Sequence, residues 1–133
     1  MVTAVDTSVL IDVLIKDQKF SEVSKSALRK ASSEGSLVIC ETVLAELVPA
    51  LADKDVIPFL SDWNLSFVPS SRESSLLAGK MYRSFLQRGS RGQRVVADFI
   101  IGAHAQVHCQ RLLARDRGYY RDYFKSLKLW DPA

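Results

Sequence analysis

Five short apolar or β-branched runs recur along this chain, at Val2–Val5, Leu37–Cys40, Leu65–Val68, Arg111–Ala114 and Leu127–Trp130, each separated from the next by a longer stretch of helical periodicity. A strand that must return parallel to its predecessor needs a crossover of helical length, so this alternation predicts an α/β fold with a parallel sheet between layers of helix. The intervening stretches carry the matching signal: Val43, Leu44, Leu47, Val48 and Leu51 keep helical spacing, as do Leu77, Met81 and Phe85, then Val96, Ile100, Ala103 and Val107. Those stripes are core-facing. Pro49 lies inside the first of them and removes a backbone donor, which predicts a kink or break there. Ser70-Ser71 followed by Glu73-Ser74 reads as a helix start, and residues 87–94 (QRGSRGQR) read as a basic, glycine-containing loop between two helices. At 133 residues and 47% hydrophobic, the chain has the size and apolar content of one domain, residues 1–133, with no linker.

Several function classes are excluded at this stage. The longest apolar stretches, such as Val9–Ile11 and Phe99–Ala103, fall far short of the roughly 20 residues of a membrane span. The opening residues meet a carboxylate at Asp6 with no basic segment before them, unlike a secretory signal, so the expected location is the cytoplasm. Cys40 and Cys109 are too few for a disulfide framework and form no CxxC pair, so both are expected reduced and buried. No GxxxxGK phosphate loop and no GxGxxG occur, against nucleotide hydrolases and dinucleotide-dependent oxidoreductases. The net charge of +3 is unevenly spread: residues 1–71 carry six basic against ten acidic side chains, and residues 72–133 carry twelve against five. The basic half suits either a solvated face or a polyanion such as RNA.

The acids are the informative residues. In open parallel sheets ligands bind beyond the carboxyl ends of the strands. Asp6 directly follows the first strand, Asp116 lies just past the fourth, Asp98 opens the helix before that strand, and Glu46 lies in the helix after the second. Four carboxylates at one end of a sheet repel one another unless a cation neutralises them. Oxygen-only ligation selects a hard ion, magnesium or manganese, over zinc. Such an ion polarises phosphoryl oxygens and activates water, the chemistry of phosphodiester hydrolysis. Taken singly, each acid is better explained as a solvated surface residue; their joint placement carries the argument.

Other residues have two readings each. Thr7 and Ser8 either cap a helix beginning at Val9 or present hydroxyls to a phosphate or a metal-bound water. Arg88, Arg91 and Arg94 precede Asp98, and Arg115, Arg117, Arg121 and Lys125 interleave with Tyr119, Tyr120, Tyr123 and Phe124. Arginines bind phosphate and rings stack on bases, but rings at helical spacing usually pack in a core or dimer interface. Arg115, beside Asp116, either stabilises a transferring phosphoryl group or pairs with carboxylates to hold the site together. His104 and His108 have the spacing of a zinc pair but lack the HExxH glutamate and a third ligand, so they read as packing or helix-surface residues.

At this point the motifs resemble a family. Val5-Asp6-Thr7-Ser8-Val9-Leu10-Ile11-Asp12, Val43-Leu44-Ala45-Glu46-Leu47, residues 97–105 (ADFIIGAHA) and residues 112–120 (LLARDRGYY), with Trp130-Asp131-Pro132, are similar in order and spacing to the motifs of PIN-domain proteins. The similarity is closest to VapC-type toxins of toxin–antitoxin pairs. It implies a three-layer α/β/α fold about a five-stranded parallel sheet, a homodimer, and magnesium-dependent cleavage of structured RNA such as transfer or ribosomal RNA. It also implies inhibition by a VapB-type antitoxin. Carried over by position, Asp6 and Asp98 resemble the principal metal ligands, and Glu46 and Asp116 the acids that complete the catalytic site; Ser8, Arg91, Arg94 and Arg115 are, by their own chemistry, the candidates to face RNA. Glu41 and Asp122 stand nearby as substitutes for Glu46 and Asp116. One departure is Ala114, where the family commonly has Thr or Ser. Two rivals remain: another magnesium-dependent phosphoryl-transfer enzyme, which would usually have an acid where Ser8 stands, and a non-enzymatic PIN-like scaffold that binds RNA or protein.

Overall fold

The five apolar runs form β1 (Val2–Val5), β2 (Ser36–Ile39), β3 (Leu65–Phe67), β4 (Arg111–Leu113) and β5 (Leu129–Trp130) of one all-parallel sheet ordered β3-β2-β1-β4-β5. The computed structural model describes residues 1–89, 95–115 and 118–132. Thr3 pairs with Leu37 on one side and Arg111 on the other, which fixes β1 as the central strand. Residues of both pleat directions are buried in β1, β2 and β4, as expected of parallel strands covered on both faces. Among the described residues seven α-helices supply that cover: α1 (Thr7–Leu14), α2 (Ser21–Glu34), α3 (Glu41–Leu47), α4 (Asp53–Asp62), α5 (Arg72–Gln87), α6 (Val96–His108) and α7 (Tyr119–Tyr123). The expected α/β/α layering is therefore observed.

Boundaries follow local chemistry. Pro49 ends α3 at Leu47 and leaves a single 3-10 turn at Val48–Ala50, the break its missing donor requires. Helix α5 starts where expected, at Ser71, but the residue closing the capping box is Ser74 rather than an acid: Ser74 N donates to Ser71 Oγ at 3.1 Å and Ser71 N to Ser74 Oγ at 2.9 Å. The last strand is two residues shorter than expected, because Leu127 N bonds the Phe124 carbonyl in a turn instead of joining the ladder. Both cysteines are free; Cys40 is buried as expected, whereas Cys109 is half-buried, and burial pushes its thiol up to about 11. No described helix is long and apolar enough to cross a membrane.

Of the buried polar groups, Arg111 and His104 tie neighbouring elements together. Arg111, 8% exposed, donates from Nε to Thr3 Oγ1 at 2.8 Å and from Nη2 to Glu34 Oε1 at 2.6 Å, and lies 4.7 Å over the Trp130 ring. His104 on α6 is 1% exposed, and its Nε2–H donates to the Val68 carbonyl at 2.7 Å. His108, one turn on, meets Ser71 Oγ at 2.9 Å, so both histidines serve helix packing. Burial, aided by His108, holds His104 below the usual 6.5 against the opposing pull of the Val68 carbonyl and Glu41. The folded state thus prefers the neutral ring, while the unfolded chain takes up a proton below about 6.5, so the contribution of His104 is complete above that pH and is lost as pH falls beneath it. The urea midpoint should fall between pH 7 and 5, and His104→Gln, which keeps a donor for Val68, should flatten that slope. An unchanged slope in the variant would show that other groups set it.

Candidate active site

The sheet order dictates where a site can form. The chain leaves β1 toward β2 and β3, then returns to β4 on the other side of β1, so the connections diverge above the carboxyl ends of β1 and β4 and leave a crevice. Asp6 sits at its floor, 6% exposed, with its backbone N donating to the Leu113 carbonyl at 2.9 Å. Helix α1 starts at Thr7, not at Val9, and its cap is Asp6 itself rather than a Thr7 or Ser8 hydroxyl: Asp6 Oδ2 accepts from Ser8 N at 3.0 Å and also from Ser8 Oγ. An aspartate at this position reaches the backbone donor two residues on, which a hydroxyl at Thr7 or Ser8 would have left to the next turn. The other oxygen, Oδ1, accepts from the Tyr120 hydroxyl at 2.6 Å.

The remaining acids arrive from two other helices. Glu46, exposed near the end of α3, accepts from Thr7 Oγ1 at 2.6 Å, and Asp98, half-buried, occupies the first turn of α6. Asp6, Glu46 and Asp98 line one cleft of about 280 Å³, together with Ser8, Arg115 and Tyr120. All three carboxylates bear on the same hydroxyl: burial first, then the charge and hydrogen bond of Asp6, then Asp98 and Glu46, push Tyr120 well above its ordinary range. That hydroxyl is therefore a permanent donor. Asp116, Arg91, Arg94 and Arg117 lie outside the described residues.

Arg115 lines the same cleft but pairs its side chain with Asp12. Its Nε and Nη2 donate to Asp12 Oδ2 and Oδ1 at 2.8 and 2.7 Å, and its guanidinium stacks 4.1 Å from the centroid of Phe20. Asp12 is 1% exposed and also accepts from Ser24 Oγ at 2.8 Å. The Arg115 backbone N donates to Ser8 Oγ at 3.2 Å, which places a hydroxyl beside the chain just after Ala114. Arg88 lies 4.9 Å over the Tyr123 ring. Glu41 accepts from Ser70 N at 2.8 Å; burial opposes its ionisation, but that bond and its own backbone N–H hold it below the usual carboxylate range. Asp122 is exposed on α7, and neither it nor Glu41 lines the cleft. Of the aromatic residues, Tyr120 and Phe124 are buried, while Tyr119 and Tyr123 pack on Phe85 and Phe99, which is core packing.

Two residues hold roles at the site that the sequence does not assign them, Asp12 as the partner of Arg115 and Tyr120 as a donor to Asp6. Asp12 had a legible signal, a lone acid within the apolar run Val9–Leu14, whereas Tyr120 reaches Asp6 across 114 positions and had none. Among the described residues no three His, Cys, Asp or Glu side chains gather closely enough to hold an ion alone. Magnesium does not ask for that: it keeps several waters and takes one or two carboxylates plus phosphate oxygens from its substrate. An oxygen-only set in which Asp6 and Glu46 are already aimed by hydroxyl groups fits such an ion and would not suit zinc.

Solved structures share this architecture. The chain superposes on one from VapBC2 of Rickettsia felis bound to a promoter DNA fragment (TM-score 0.74, 18% identity, 98% of each chain covered). It likewise matches one from VapBC-1 of nontypeable Haemophilus influenzae (TM-score 0.72, 17% identity, 99% of this chain and 98% of that one). A third comes from DNA-bound VapBC of Salmonella typhimurium (TM-score 0.74, 14% identity, 100% and 99%). At such identities the likeness speaks for the fold, and among curated proteins no significant sequence match is found. The sequence itself matches the PIN domain family model over residues 3–125, a span that takes in β1 to α7 and every acid of the cleft, and the chain therefore belongs to the PIN-domain family.

Proposed function

We propose that this chain is a magnesium- or manganese-dependent endoribonuclease that cuts structured RNA, such as transfer or ribosomal RNA. In this reading it acts in the cytoplasm as the toxin of a toxin–antitoxin pair, forms a homodimer and is restrained by a VapB-type antitoxin. The observation that carries the proposal is the convergence of Asp6, Glu46 and Asp98, from three separate elements, on one cleft at the switch point of a parallel sheet. The VapBC assemblies that share the fold support the antitoxin partner, and the basic second half of the chain supports a polyanionic substrate.

When bound, a divalent ion supplies Lewis-acid polarisation of the phosphoryl group and lowers the pKa of a coordinated water. The chain's own residues do the rest. Asp6 and Asp98 are the principal ligands, and Glu46 and Asp116 complete the acidic, catalytic set. Thr7 and Ser8 keep Glu46 and Asp6 in place by donating to them. Arg91 and Arg94 attract the phosphate backbone. Ser8 and Arg115 border the path to the acids, Arg115 with two of its donors, at Nε and Nη2, on Asp12.

Asp6→Asn tests the proposal, since it keeps the volume and the cap acceptor but removes the charge. Lewis-acid stabilisation is worth several kcal/mol and each 1.36 kcal/mol is tenfold in rate, so magnesium-dependent cleavage of structured RNA should fall at least about a hundredfold. Cleavage by the variant at the wild-type rate, at matched purity and free of partner, would defeat the metal-site assignment. Activity on a small phosphomonoester with none on RNA would favour a phosphatase instead.

A further inference from the structure

We propose that Tyr120 is a positioning residue of the acidic site, its buried hydroxyl fixing Asp6 in the one orientation that receives a divalent cation. The inference rests on the metal-dependent reading above and deepens it. A carboxylate turns readily about its terminal torsion, so a ligand acid that is not held must be ordered each time an ion binds. Asp6 is held on both sides: Ser8 donates to Oδ2 from its backbone and its hydroxyl, and Tyr120 donates to Oδ1 at 2.6 Å. Oδ2 takes two of these bonds and Oδ1 one, which leaves Oδ1 a second lone pair, and the carboxylate lines the cleft, so these bonds orient Asp6 and still leave it able to bind.

The source of the hydroxyl supports a site role over a packing role. Tyr120 is 4% exposed on the five-residue helix α7, and its ring lies in the same core as Phe99 and Phe124. A phenylalanine would satisfy that packing. The hydroxyl reaches beyond that packing into the cleft, where it donates to the acid at the sheet floor. Partners that orient metal ligands typically change metal affinity 10- to 100-fold when removed.

The test is direct titration of manganese(II), followed by calorimetry and by electron paramagnetic resonance, into the purified full chain freed of any partner. Four proteins are compared: wild type, Tyr120→Phe, Tyr82→Phe as a tyrosine control on α5 in the neighbouring aromatic cluster, and Asp6→Asn. The expected result is affinity lowered about tenfold or more in Tyr120→Phe, unchanged in Tyr82→Phe and lost in Asp6→Asn, with similar urea midpoints for wild type and Tyr120→Phe. Tyr120→Leu serves as a second variant and should show the same loss. Wild-type affinity in Tyr120→Phe, or a lowered urea midpoint with affinity intact, overturns the inference in favour of a structural role. No ion binding by wild type, or equal binding by Asp6→Asn, overturns the metal reading itself and this inference with it.

Discussion

Replacing Phe99 by alanine should cost about 3–5 kcal/mol of folding stability, the range for an aromatic side chain deleted from a closed core. Phe99 is fully buried on α6, and its ring centroid lies 5.6 Å from Tyr82, 5.5 Å from Phe85, 6.2 Å from Tyr119, 5.2 Å from Tyr123 and 6.1 Å from Phe124. It therefore joins α5, α6 and α7 through one ring. Tilted and edge-on aromatic pairs add about 0.5–1.5 kcal/mol each beyond area burial, which places the loss at the upper part of the range. Packing around it is tight: Gly102 lets the Phe124 ring approach so closely that a Cβ there would lie 2.6 Å from it. Against a total stability of about 5–15 kcal/mol the loss is large, and urea denaturation reads it as a midpoint shift. Asp98 adjoins Phe99 and Tyr120 stands on α7, so any RNA cleavage should fall along with stability. Phe99→Leu, which keeps most of the volume, should lose less than half as much. A midpoint shift in Phe99→Ala no greater than that of Phe99→Leu would show that the ring network adds nothing beyond bulk.

The parts of this molecule that the sequence reveals are those where burial and chemistry act locally. Fully buried parallel strands read as apolar runs, so all five strands were found within one or two residues, and acids counted from strand ends led to Asp6, Glu46 and Asp98. Helix α2 was hidden because its buried face is mostly small, with Ser21, Ser24, Ala27 and Ala31 beside a single large residue, Leu28. Helix α4 was hidden for a different reason: it carries Pro58, buries no residue fully and leaves Ile57 71% exposed. Periodicity had nothing to show in either. The cap at Asp6 was misread because a carboxylate expected to serve the site also serves the helix, two roles that a one-dimensional reading keeps apart. Tyr120 depends on where α7 docks, which only the assembled core decides. The same limit applies to Arg115, which by sequence had both a phosphate role and a pairing role open to it; its pairing partner, Asp12, lies 103 positions away.

That pair carries the second large expected effect. Arg115→Met should destabilise the fold by about 3 kcal/mol, because removing one partner of a buried ion pair leaves the other charge uncompensated. Asp12 is the costly member: its side chain is 1% exposed, while that of Arg115 is 32% exposed, and solvent screening at the arginine end puts the loss at the low end of the usual 3–5 kcal/mol. Methionine keeps most of the aliphatic stem and can still lie against Phe20, where the guanidinium stacks at 4.1 Å. Adding Asp12→Asn should then recover at least half of the loss, since a neutral amide can still accept from Ser24 without a buried charge. Asp12→Asn alone should cost less than Arg115→Met, because a partly exposed guanidinium can turn to water. These three variants and the wild type form a double-mutant cycle in which coupling between the two positions is the quantity of interest. For a domain of this size a 3 kcal/mol loss moves the urea midpoint by about 1–3 M, well within measurement. Additive single and double variants would mean that the pair contributes no coupling and that α1 is held to the chain after β4 by packing alone.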